Sequence, residues 1–173
     1  QRRYDPLLMS DQTTLDRMLA HMAWANARLF ATLATLPAET LAVLQPGSEW
    51  SVAAIAHHLT TAAENYARRL HGEPRAEKRE LPTTGAEIAQ LAEVLATADA
   101  RLRDGARQPG DERLTWVTMG GDEISVQRWV LIDQAVHHAT EHRAQIAAAL
   151  AAHGSAAVDL DQLDVWTYND GLG

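Results

Sequence analysis

The chain has no cysteine among its 173 residues. Disulfides, thiolate ligands, iron–sulfur clusters and a cysteine nucleophile are thereby excluded, and any transition metal has to bind through His, Asp or Glu. Phenylalanine is reduced to one residue, and basic side chains are few: 15 Lys and Arg against 23 Asp and Glu leave a formal net charge of −8. A chain so charged repels a phosphate backbone, which argues against a nucleic-acid partner. Its densest basic stretch, Arg75 to Arg79, is interrupted by Glu77. No apolar run approaches the roughly 20 residues that span a bilayer, and the N-terminus has no signal-peptide apolar segment. The expectation is a cytoplasmic protein without a membrane partner.

What the sequence does have is helical period. Leu15, Leu19, Met22, Leu29, Leu33 and Leu36 recur at steps of four and three with Asn26 in the missing place, which predicts a helix from Asp11 to Leu36 stopped by Pro37. A second helix is predicted from the cap Ser51, through Val52, Ile55, Leu59, Ala62 and Tyr66, to Gly72, with Trp50 placed to staple its first turn. Thr84-Gly85-Ala86-Glu87 reads as a capping box opening a third helix, whose stripe is Ile88, Leu91, Leu95, Ala98 and Leu102 and whose close is Gly105. Leu114 to Val126 alternates around Gly120-Gly121, as a short hairpin or an extended crossover would. The fourth helix is predicted from Val126 to Ala152, capped near Ser125 and ended by Gly154, followed by a shorter piece from Asp159 to Tyr168.

Four such helices with little strand between them point to an all-α fold, a four-helix bundle with a short extra C-terminal helical segment. The long stretch between the third and fourth helices predicts a crossover connection there. Residues 11–170 are expected to form a single domain, with residues 1–10 an N-terminal extension.

Placed at 100° per residue, Leu131, Ala135, His138, His142 and Ala149 form one seam of the fourth helix, so both histidines face inward. Residues four apart are offset by about 40° with Cβ atoms roughly 6 Å apart, so both imidazoles can reach one ion. His58 lies about 80° from the stripe of the second helix and can look in from its edge, whereas His57 lies about 180° away. A single histidine on an apolar face is ordinarily a hydrogen-bonded core residue. Two stacked imidazoles need partners for four ring nitrogens, at about 1–3 kcal/mol for each left unpaired, and a shared metal satisfies them together. His58, His138 and His142 are therefore the candidate ligands. Three nitrogens leave at least one coordination position open, as catalytic sites do. Ala139 follows His138 where a zincin would carry its glutamate base, so that motif is absent.

The Trp50-Ser51-Val52 and His58-Leu59 pair, Met22-Ala23-Trp24-Ala25-Asn26, and His138-x-x-x-His142-Arg143-Ala144-Gln145-Ile146 together resemble the DinB/YfiT-like superfamily of bacterial metal-binding four-helix bundles. The similarity extends from Asp11 to Tyr168. It implies an up-down-down-up helix order, ligation by His58, His138 and His142 of a divalent ion (zinc or nickel foremost, iron or manganese as further candidates), and a homodimer. Ala144 departs from the glycine many relatives carry in His-Arg-Gly-Gln. Family members with known activity are thiol-dependent transferases and isomerases, which implies a small-molecule thiol and an electrophilic substrate. Metal-dependent hydrolysis and a non-catalytic, stress-associated metal-binding scaffold are the alternatives. No catalytic residue or general base is identified.

Asn26 is expected to fix helix register or to bond a metal-bound water or substrate. Thr61, Asn65 and Gln145 lie on the ligand side of their helices, as solvated edge residues or as supports for the site. Most of the five tryptophans are expected in the core or as staples, with Trp116 and Trp166 candidates for a pocket mouth. His137 is read as a solvated face residue near Glu141, and His21, His71 and His153 as flank or helix-end residues.

Overall fold

The computed structural model describes residues 13–110, 112–118 and 120–171. The expected N-terminal extension, residues 1–10, and the predicted helix start at Asp11 lie outside the described residues. The elements are α1 (Thr14–Leu33), α2 (Ala38–Leu41), α3 (Val52–Leu70), α4 (Gly85–Arg107), β1 (Arg113–Val117), β2 (Glu123–Gln127), α5 (Arg128–Ala152) and α6 (Val165–Asp170). A 3-10 turn, Leu160–Leu163, precedes α6. The fold is mostly helical, and of the two readings offered for Leu114 to Val126 the hairpin is the one that forms: β1 and β2 are antiparallel, pairing Arg113 with Gln127 and Val117 with Glu123.

Local chemistry sets the helix ends. Thr13 and Ser51 cap α1 and α3 by accepting from the Asp16 and Ala54 amides. At α4 the capping box forms as predicted: the Thr84 hydroxyl accepts from the Glu87 amide while the Glu87 carboxylate accepts from the Thr84 amide. Gln127, not Ser125, is the N-cap of α5, because Ser125 is committed to the hairpin as the partner of Thr115. The C-terminal piece divides in two where the Asp164 side chain accepts from the Thr167 amide and starts α6 afresh.

Gly105 does not close α4, which continues to Arg107. Its role is proximity: a Cβ there would stand 3.1 Å from the Leu70 Cβ. The ends of three helices meet at this point, since the buried Arg128 at the start of α5 donates to the carbonyls of both Leu70 and Gly105. At one end of the α1–α4 pair, Asp16 binds Arg103 and Arg107 at 3.2 and 2.7 Å. At the other, Gly85 meets the carbonyl of Ala34.

These contacts correct the expected crossover. The end of α4 lies beside the start of α5, so the hairpin spans no distance along the helices. The chain instead runs back along α3 between α3 and α4. There the Asn65 Oδ1 accepts from the Ala76 amide at 3.0 Å, Glu64 pairs with Arg79, and His57 Nε2 meets the Arg79 carbonyl at 3.2 Å. Asn65 is therefore a buried anchor for this segment rather than a solvated edge residue. One apolar cluster, including Leu29, Phe30, Ile55, Leu59, Ile88, Leu95 and Ile146, joins α1, α3, α4 and α5.

The tryptophans divide: Trp24 and Trp116 pack, partly buried, against the apolar cluster, whereas Trp129 is 55% and Trp166 77% exposed. The fully buried core is mainly Leu, Ile and Ala, with Met22, Phe30 and Val52 among them.

Candidate metal centre

His58 projects from the middle of α3, and His138 and His142 from successive turns of α5. The His138 Nε2 stands 3.0 Å from the His58 Nε2 and 3.0 Å from the His142 Nε2. One donor atom from each ring lies within 4.8 Å of the others, and no carboxylate belongs to the group among the described residues. His138 and His142 are buried at 9% and 6% exposure, and His58 is half-buried. The structure thus brings together the three histidines that the sequence singles out.

An imidazole nitrogen offers a single in-plane position, either a proton or a lone pair. The His138 Nε2 therefore cannot make good hydrogen bonds to both of its neighbours. A cation between three lone pairs meets all of them. Two metal–nitrogen bonds of about 2.0–2.1 Å meeting at 90–110° separate their nitrogens by roughly 2.9–3.4 Å, which accommodates the two 3.0 Å separations from His138. The donor set fits a divalent metal.

Gln145 sharpens the fit. Its Oε1 lies 2.6 Å from the His142 Nδ1. An amide oxygen only accepts, so His142 donates from Nδ1 and turns a bare Nε2 toward the cluster. Protons compete weakly here. Burial, followed by the charges of His142 and His57, lowers the pKa of His58; burial, followed by His142 and His58, pushes His138 down to about 4.

Two aromatic side chains frame the rings. Trp50 sets its ring 4.8 Å from that of His58, edge-on, and stacks toward His142 at 6.3 Å. Sequence reasoning gives Trp50 the work of a staple and misses this placement. Tyr66 meets His138 edge-on at 5.7 Å, and burial raises its pKa against the opposing effects of Gln134 and Arg69, so its hydroxyl keeps its proton. The two tryptophans proposed for a pocket mouth have other surroundings: Trp116 carries the Arg69 guanidinium at 4.3 Å, and Trp166 faces solvent.

Beneath the rings lies a polar network that the sequence reading largely misses. Asn26 Nδ2 donates to Asp99 Oδ2 at 3.0 Å, and Arg143 Nη1 donates to Asn26 Oδ1 at 2.8 Å. Burial dominates both charged partners: it pushes Asp99 up to about 6 against Asn26 and Arg143, and Arg143 down to about 10 against Asp99. A sequence signal exists, since Asp99 falls four after Leu95 and three before Leu102, on the apolar stripe of α4.

The other histidines stay apart. His137 is exposed and faces Asp133 at 3.6 Å rather than Glu141. His21 contacts the Leu163 carbonyl at 2.8 Å and so ties α1 to the C-terminal segment. His71 and His153 are the C-caps of α3 and α5, where they contact the carbonyls of Arg101 and Ala149.

The family model of the DinB family matches residues 9–170, and the chain belongs to that family. No curated protein matches it. No helix among the described residues is long and apolar enough to cross a membrane.

Proposed function

We propose that His58, His138 and His142 ligate a divalent ion, zinc or nickel foremost with iron or manganese as further candidates, in an enzyme of S-transferase or isomerase type. Its substrates are a low-molecular-weight thiol and an electrophile. The observation that carries this reading is the convergence of three imidazole nitrogens with no carboxylate in the group among the described residues. Such a site has ligands but no carboxylate base of its own, which favours a nucleophile that ionises readily.

A bound ion of this kind supplies Lewis-acid chemistry, favouring thiolate over thiol and holding the sulfur. The chain contributes the rest. It has no cysteine to occupy that position, so the sulfur comes from outside. Gln145 holds the His142 Nδ1 proton and fixes that ring's tautomer. Trp50 sets an apolar ring edge-on to His58 and stacked toward His142, which limits water there, and Tyr66, whose hydroxyl stays protonated, packs its ring against His138.

The test is turnover of an electrophile by metal-loaded protein with a panel of low-molecular-weight thiols. A rate that rises with one thiol and is lost in His142→Ala supports the role. Turnover that ignores every thiol and persists by hydrolysis overturns it.

We further infer that residues 11–170 act as one cytoplasmic domain with the long helices ordered up-down-down-up. The meeting of opposite ends of α1 and α4, and of like ends of α3 and α4, supports that order. A homodimer is supported by exposed Leu15 and Met18 on α1 and Val165 and Trp166 on α6, two helices that touch. Trp166→Glu is expected to halve the mass measured by light scattering.

A further inference from the structure

A cavity of about 10 Å³ lies against the His138 ring, lined also by Asn26, Leu59, Tyr66 and Asp99. Asp99 is 1% exposed, and while its Oδ2 accepts from Asn26, its Oδ1 is buried without a hydrogen-bond partner. A buried carboxylate oxygen left unpaired is costly, by about 1–3 kcal/mol and more when charged. A space of about 10–15 Å³ holds one water, provided that two or more polar groups face it.

His138 supplies the second group. Its Nε2 faces His58 and His142, so Nδ1 is the only other polar atom of the ring. Among the described residues no acceptor is bonded to that Nδ1. Asn26 Nδ2 has a second proton beyond the one given to Asp99. Asn26, Asp99 and His138 all line this space, so two donors and an acceptor are available to one water.

We propose that Asp99 is a positioning residue for the metal centre, acting through a single buried water that accepts from His138 Nδ1–H and donates to Asp99 Oδ1. The bridge holds His138 in the Nδ1–H tautomer and leaves Nε2 bare for ligation. It does for His138 what Gln145 does directly for His142, and it makes a buried residue of α4, a helix that contributes no ligand, part of the site. A carboxylate behind a ligating imidazole raises the basicity of the ligand nitrogen, and losing such a partner typically weakens metal binding about 10- to 100-fold. The inference rests on the three-histidine metal reading above for its affinity consequence, but not for the tautomer.

Asp99→Asn is the direct probe. Asn26 Nδ2 holds the side-chain oxygen, so the new amide group takes the place of Oδ1 and turns a donor toward the water. Two measurements are made on folded protein whose circular dichroism matches wild type: the His138 tautomer in the metal-free chain by long-range nitrogen–proton NMR, and zinc affinity by chelator competition. The expected result is an Nδ1–H tautomer in wild type, a mixture in the variant, and zinc binding about 10- to 100-fold weaker. An unchanged tautomer overturns the proposal. Wild-type protein with the Nδ1–H tautomer, lost in the variant, but with no zinc binding upholds the bridge and overturns the metal reading instead. Should Asp99→Asn fail to fold, Ala63→Val fills the same cavity with Asp99 and Asn26 in place. It is expected to shift the tautomer in the same direction, and an unshifted tautomer there is equally fatal.

Discussion

The Nδ1 of His142 lies 2.6 Å from the side-chain oxygen of Gln145, three residues further along α5. That contact decides which nitrogen of His142 faces the other two imidazoles. Gln145→Ala removes the acceptor and lets the ring sample the opposite tautomer. Metal affinity is expected to fall about 10-fold with little change in melting temperature, whereas Gln145→Glu, which keeps an acceptor, retains it. Chelator competition on the two variants measures both outcomes.

Asn26 joins α1 to α4 and α5 by bonding Asp99 and Arg143 at once. Asn26→Ala leaves a buried carboxylate and a buried guanidinium each short of a partner. The expected loss is about 3 kcal/mol or more in urea unfolding, at least the sum of two unpaired buried groups. A loss below about 1 kcal/mol, the worth of an ordinary solvent-compensated bond, would mean that the network contributes little.

Gly85 opens α4 directly against α1, and a Cβ there would meet the Ala34 carbonyl oxygen at 2.2 Å. Neither backbone can yield cheaply. Gly85→Ala is therefore expected to destabilise by about 1–3 kcal/mol despite the better helix propensity of alanine. Thermal melts compare it with an exposed control in the same helix, Glu93→Ala, which is expected to be neutral.

Acid acts on the metal-free protein in two opposed ways. His138 is held at about 4 in the folded state against an ordinary 6.5, and His58 is lowered in the same direction. The unfolded chain therefore takes up those protons first, and stability present above pH 6.5 is lost as pH falls toward 4. Asp99 works the other way: its folded value of about 6 lies above the ordinary 3.8, so the folded state binds that proton first and gains between these values as pH falls. Melting temperature is expected to drop from pH 6.5 to 4, and to drop more steeply in Asp99→Asn, which loses the offset. Parallel profiles would show that Asp99 does not titrate in this range.

Much of this was legible because helices advertise themselves by period. Leu19, Met22, Leu29 and Leu33 marked α1, and Thr84 with Glu87 marked the start of α4, because the signals are local. His138 and His142 could be paired from spacing alone, and His58 added from its edge position and the family resemblance. Loop length does not place the crossover, because it does not reveal which helix ends meet; the Arg128 contacts to Leu70 and Gly105 do. Gly105 looked like a cap since its packing partner, Leu70, is remote in sequence. Asp99 does not stand out beside Ala98 on the stripe, because a carboxylate in a core makes sense only with Asn26 and Arg143 beside it. Trp50 adjoins α3 in sequence, but its ring also packs toward His142 of α5, which sequence order does not show.

The central claim is that the three imidazoles share one ion, and calorimetric titration of chelator-treated protein with zinc and with nickel tests it most directly. Wild type is expected to bind one ion per chain, and His138→Ala, folded by circular dichroism, to bind none at the same concentrations. Equal binding by both proteins, or none by wild type, would contradict it.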